Sequence, residues 1–217
     1  MQSNAISLCL RTSRREIRLG ERTLIMGILN VTPDSFSDGG RFASPAQAVE
    51  EGIRMAGQGA DIIDIGGEST RPGSEPVSAD EELERVVPVV RGLAGKLDVP
   101  LSVDTMKAAV AREAVREGAE IVNDVSAMGF DPAMAGTVAE TGAALVLMHM
   151  RGTPKTMQTG DLAYGSLWGE VIGFLQERIR MAQEAGVDIG KIAVDAGLGF
   201  GKPAQDNLRL ISELAEL

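Results

Sequence analysis

A chain of 217 residues with 44% hydrophobic content can bury one sizeable core, and with no low-complexity linker it reads as a single domain over 1–217. The formal charge of −10 excludes a nucleic-acid surface built on clustered Lys and Arg, and one Trp and one Tyr leave almost no platform for stacking bases. A lone Cys9 and a lone His149 exclude a disulfide framework and a Cys/His zinc site, and no apolar run approaches the roughly 20 residues that span a bilayer, so a soluble, cytoplasmic protein is expected.

In chain order, the first short apolar run covers residues 24–29 and stops at Asn30, where a long loop of small and polar residues begins (VTPDSFSDGG). Ser44-Pro45-Ala46-Gln47 is a capping box with Pro at the first helical position, so a helix follows. The run at 62–65 ends in Gly66-Gly-Glu-Ser-Thr-Arg-Pro-Gly73, and Ser78 to Glu81 is a second capping box. Behind it Leu83, Val86, Val87, Val90 and Leu93 repeat at helical spacing, with Pro88 marking a kink. The run at 101–103 ends in Asp104-Thr105, and the stripe of Val110, Ala114 and Val115 stops at Gly118. The run at 120–122 ends in Asn123-Asp124, and Asp131-Pro132 supplies a third helix start. The run at 143–148 ends at His149, a long helix is expected from about 166 to 185, and the run at 192–194 ends at Asp195.

Six such strand-then-helix units predict an α/β fold with parallel strands and right-handed crossovers. An open doubly wound sheet would concentrate reactive groups on two or three strand ends, whereas here every strand ends in one, which is the mark of a barrel mouth. The expected fold is therefore a TIM (β/α)8 barrel, with only about six of the eight strand-helix units in this chain.

Each strand-end group also has a plainer reading. The 66–73 loop suits an anion through backbone N–H groups and Arg71, or it is a turn with a solvated Arg. Asp104 could cap the helix after it, Asn123-Asp124 could be turn residues, and Asp195 could hold the amides of the Gly-rich segment behind it. Together, however, Asp104, Asn123 and Asp195 offer the acceptor and donor edges that a flat, nitrogen-rich heterocycle requires. His149 reads as a structural or loop-ordering residue rather than a general base, and no G-x-S-x-G elbow or Ser-His-Asp order is present.

The segments IMGILNVTPDSFSDGG, GADIIDIGGESTRPG, LSVDTMK, EIVNDVSA, LMHMRGTPKTMQ and VDAGLGFGK, in this order and spacing, resemble the dihydropteroate synthases of the folate pathway. That resemblance implies a pterin-binding barrel that joins 4-aminobenzoate to 6-hydroxymethyl-7,8-dihydropterin diphosphate, giving 7,8-dihydropteroate and diphosphate. Carried over by position, it implies that Asp104, Asn123 and Asp195 hydrogen-bond the pterin between Met148 and Phe200. It further implies that Asn30 holds Mg²⁺ on the diphosphate and that Thr70 and Arg71 reach the anion. Asp34, Ser35 and Phe36, with Ser37, would close over the mouth and help form the aminobenzoate site. The family is usually homodimeric.

Departures qualify the expectation. Ala196 stands where the family usually has Pro, a difference expected to affect loop rigidity more than chemistry. The Ser-Arg-Lys and Arg-x-His segments of the family have no counterpart before Leu217. A fragment of a longer enzyme, inactive by itself, is the favoured expectation; an inactive relative and strands supplied by a second chain are the others. Two competing readings stand beside the synthase: a non-catalytic pterin-binding protein and a methyltetrahydrofolate-binding methyltransferase domain, against which the TPDSFSDGG and ESTRPG segments argue.

Overall fold

The structure, a computed structural model, describes residues 8–32, 44–160 and 162–217. Asp34, Ser35, Phe36 and Ser37 lie outside the described residues. Six strands, β3 (Met26–Asn30), β4 (Ile62–Gly66), β5 (Leu101–Asp104), β6 (Ile121–Asp124), β7 (Ala144–Met148) and β8 (Ile192–Asp195), pair in sequence order and all in parallel. The helices between and after them are α1 (Pro45–Gly57), α2 (Ala79–Leu93), α3 (Ala108–Glu117), α4 (Met134–Thr141), α5 (Leu167–Glu184) and α6 (Ala204–Ser212). Sequential parallel order with a helix in every crossover is barrel topology; among the described residues β3 and β8 are the two edges of the sheet. No described helix is long and apolar enough to cross a membrane.

Start signals read from the sequence act as anticipated at two helices: Ser44 accepts from the Gln47 amide and Ser78 from the Glu81 amide. The third is displaced. α4 begins at Met134 rather than directly after Pro132, because Asp131 Oδ1 takes the Ala133 amide (2.9 Å) while its Oδ2 takes the Ala108 amide (2.9 Å) at the start of α3. One carboxylate thus serves two helix N-termini.

Strand alternation sorts the core into two sides. Leu29, Ile63, Ile65, Val103, Val122, Leu145 and Leu147 face outward and are fully enclosed by helix stripes that include Val86, Val90 and Leu93 of α2, Val110 and Ala114 of α3 and Leu175 of α5. Burying each large aliphatic side chain there is worth roughly 1.5–3 kcal/mol. The inward side carries different chemistry at each level. Its floor is Ile62, Ile121 and Ala144 with Met26, Val146 and Ala193, sealed by Leu10, Ile17 and Leu19.

Those sealing residues belong to an antiparallel hairpin that the periodicity reading did not include, β1 (Leu8–Arg11) and β2 (Glu16–Leu19). It lies across the N-terminal ends of the strands and is pinned by Glu120, which accepts from Thr12 Oγ1 at 2.7 Å and pairs with Arg15 at 2.8 Å.

Candidate active site

Parallel register puts Asn30, Gly66, Asp104 and Asn123 in one inward row at the C-terminal ends of β3 to β6. Gly66 keeps that row uncrowded: a Cβ there would sit 3.3 Å from Asn30 Oδ1, tighter than ordinary contact, and 3.5 Å from Asp104 Oδ2. One level deeper, Asp64 is buried and accepts from Asn123 Nδ2 at 3.0 Å, with its other oxygen unpartnered among the described residues. The Asn123 carboxamide is thereby fixed with its oxygen free to accept. On the far side of the mouth Asp195 pairs in register with Met148.

Above the row, Met106, Val125 and Met148 form an apolar cluster with Met150 and Phe200 packed against it. Met148 and Phe200, expected as walls, therefore belong to one cluster beside the carboxylate-bearing strand ends.

Asp104 does not cap the helix behind it, whose first amide goes to Asp131. Burial, then the nearby carboxylate of Asp64, and more weakly those of Glu82, Asp124 and Glu68, push its carboxyl well above the usual carboxylate range. Burial also pushes Asp64 up. Asp124, by contrast, is a turn residue, taking the amides of Ser126 and Met128 at 2.8 Å each. Asp195 has both roles open to it: Oδ1 takes the Gly197 amide at 2.7 Å, while the side chain stays exposed at the mouth. Thr70 is half-buried and Arg71 exposed on the loop after β4, a loop whose Gly73 amide reaches across to the Pro154 carbonyl (3.2 Å).

His149 is buried, its ring edge-on to Phe174 at 5.0 Å, and its Nδ1 has no partner among the described residues. Burial first, then Lys202 and Arg151, pull its pKa down to about 4, so the ring is neutral at pH 7 and packs rather than titrates.

Three groups escaped sequence reasoning. Asp64 could have been noticed as a charge inside the apolar run 62–65. Lys202 is buried with Nζ donating to the carbonyls of Gly197 (2.8 Å), His149 (3.1 Å) and Phe200 (3.2 Å), so it ties the Asp195–Phe200 segment to the end of β7. Lys107 is held between the carboxylates of Glu68 and Glu82, joining the loop after β4, α2 and the start of α3. No sequence signal pairs residues so far apart.

For a divalent cation the fit is partial. Among the described residues no group of three or more His, Cys, Asp or Glu suits a metal ion, and Asn30 brings one amide oxygen to the rim. That donor set matches Mg²⁺ only where substrate phosphate and water fill most of its six oxygen positions, a usual arrangement for this ion.

The comparisons agree with this geometry. A family model described as "Pterin binding enzyme" matches residues 26–217. The dihydropteroate synthase of Synechocystis is 48% identical over 198 residues, covering 91% of this chain and 68% of that relative. Among solved structures, the Xanthomonas albilineans dihydropteroate synthase with 4-aminobenzoic acid superposes with a TM-score of 0.86 at 45% identity, covering 96% of this chain and 73% of that one. The Burkholderia cenocepacia enzyme complexed with 7,8-dihydropteroate gives 0.85 at 42% identity, covering 97% and 71%. By its strand order, by the row of polar groups its strands lift to one mouth and by these matches, the chain belongs to the pterin-binding enzymes, within the dihydropteroate synthases.

Proposed function

We propose that this chain carries out dihydropteroate synthase chemistry, with the amine of 4-aminobenzoate attacking the exocyclic carbon of 6-hydroxymethyl-7,8-dihydropterin diphosphate. The new C–N bond forms as the C–O bond to diphosphate breaks, and the amine gives up a proton. The observation that carries the reading is the inward row of Asp104 and Asn123, with Asp195 across the mouth and the Met148–Phe200 cluster above. A planar heterocycle rich in N–H groups meets acceptors at its edge and apolar side chains on its faces there.

In this reading Asp104 accepts from the pterin ring nitrogens, Asn123 supplies the carboxamide edge that Asp64 orients, and Asp195 closes the opposite side. The concentration of carboxylates, Asp64 beneath Asp104, favours positive character on the pterin as the leaving group departs. Asn30 would hold Mg²⁺ on the diphosphate, where the ion neutralises the charge that develops on the leaving oxygens. Thr70 and Arg71 would meet the anion from the loop above, and Asp34, Ser35 and Phe36 would help enclose the aminobenzoate.

Calorimetric titration of the chain with the pterin diphosphate tests this. Affinity is expected to rise with Mg²⁺, Asn30→Ala to abolish that rise while leaving metal-free binding intact, and Asp104→Ala to remove binding under both conditions. Binding that ignores Asp104 would sink the assignment. Transfer of a methyl group from methyltetrahydrofolate, in place of diphosphate release, would favour the methyltransferase reading.

A further inference from the structure

Lys202 is 2% exposed, among the largest fully buried side chains, and no step of the proposed chemistry uses it. An ammonium carries three N–H donors, and here backbone carbonyls take them, those of Gly197 (2.8 Å), His149 (3.1 Å) and Phe200 (3.2 Å). Three carbonyls converging on one buried monovalent charge form an oxygen cage of the kind that holds a free ion, and the chain supplies the ion itself.

The cage follows from the glycines. Gly197, Gly199 and Gly201 take φ values of +69°, +83° and +70°, and left-handed backbone at alternate residues coils the segment tightly enough to turn two of its carbonyls to one point. A Cβ on Gly197 would lie 2.0 Å from the His149 carbonyl oxygen, so a side chain there would push the coil away from the end of β7. Burial pulls the Lys202 pKa down to about 8, with Asp195 opposing the shift and Arg151 adding to it, while the neighbouring His149 is neutral. The amine is therefore mostly charged at pH 7. Without it the cage would be a set of buried carbonyls short of donors, and the coil would open. The two ends of the coil carry Asp195, whose Oδ1 takes the Gly197 amide, and Phe200, packed against the Met148 cluster.

We propose that Lys202 is a positioning residue for the pterin: its ammonium, caged by three carbonyls, is a built-in monovalent cation that coils residues 195–200 so that Asp195 and Phe200 meet the ring together. The inference rests on the reading that Asp195 and Phe200 contact the pterin. Calorimetric titration of the whole chain at pH 7 without Mg²⁺, with 6-hydroxymethyl-7,8-dihydropterin as the probe, tests it. Lys202→Ala, which empties the cage, and Lys202→Met, which keeps the apolar stem, should each weaken binding about tenfold, the order expected from losing a charge-assisted hydrogen bond. Ammonium chloride should restore Lys202→Ala towards wild-type affinity, whereas tetramethylammonium chloride at equal ionic strength, having no N–H, should not. Wild-type affinity should fall as pH rises from 7 to 9 and the ammonium is lost, a fall that Lys202→Met should lack. Circular dichroism checks folding; if Lys202→Ala does not fold, Lys202→Met and the pH profile decide. A wild-type chain that does not bind the pterin would refute the proposed function and this role with it. Wild-type affinity in both variants, no ammonium rescue of folded Lys202→Ala, or one pH profile shared by wild type and Lys202→Met would overturn the positioning role alone.

Discussion

Asp104 stores its function as instability. Its carboxyl is raised by burial and by Asp64 before any ligand is present, so the folded state holds its proton more tightly than the unfolded chain does. The protonation preference works against folding once pH exceeds the unfolded value of about 3.9. Asp104→Asn is therefore expected to raise the melting temperature of the ligand-free chain at pH 7 while weakening pterin binding, a trade measurable by paired thermal melts and titration. His149 has the opposite sign of dependence. With a folded pKa of about 4 against an ordinary value near 6.5, the unfolded state binds more protons between those limits, so stability falls as pH drops from 6.5 towards 4. His149→Gln should flatten that part of the stability profile in urea melts; an unchanged slope would show that another group carries it.

At the scale of elements, the units that hold the site are joined by Lys107. Its amine sits between Glu68 and Glu82, and Glu82 Oε1 has no further partner among the described residues. Gly67 permits this approach, since a Cβ there would lie 2.6 Å from Val86 Cγ2 and 2.9 Å from Glu82 Cγ. Lys107→Met would leave two buried carboxylates uncompensated. The expected cost is about 3–5 kcal/mol in chemical denaturation, partly recovered when Glu82 is changed to Gln in the same chain. How legible these elements were depends on the range of the interactions that make them. Strands from 24–29 to 192–194 and the helix at 166–185 are written in local periodicity and caps, and they recur within a residue or two. The hairpin at Leu8–Leu19 is not legible in the periodicity although Leu8, Leu10, Ile17 and Leu19 alternate, because Leu8-Cys-Leu10 is only three residues long, Arg and Glu flank Ile17 and Leu19, and its stability comes from a floor made of other strands. The strand-end positions of Asp104, Asn123 and Asp195 could be read from the sequence; the Asp64–Asn123 and Lys202–His149 bonds, across 59 and 53 residues, could not.

The whole molecule is stratified from bottom to top: hairpin and aliphatic floor, then Asp64 with Ser102, then the rim row that includes Asp104 and Asn123, with the methionine cluster above it. This ordering predicts where damage travels. Leu10→Ala removes a side chain that is 6% exposed and should cost about 2–3 kcal/mol, near the low end for a core truncation. Because the floor lies on the opposite end from the rim, pterin affinity of the remaining folded molecules should be unchanged; a matching loss of affinity would mean that the levels are mechanically coupled. Asp131 suggests where such coupling does exist. A single carboxylate fastens the first turns of two neighbouring helices, α3 and α4, with one oxygen for each. Opening either turn removes a bond from the anchor of the other, so the Ala108 and Ala133 amides are expected to exchange with solvent together, and Asp131→Ala to raise the exchange of both in hydrogen-exchange measurements.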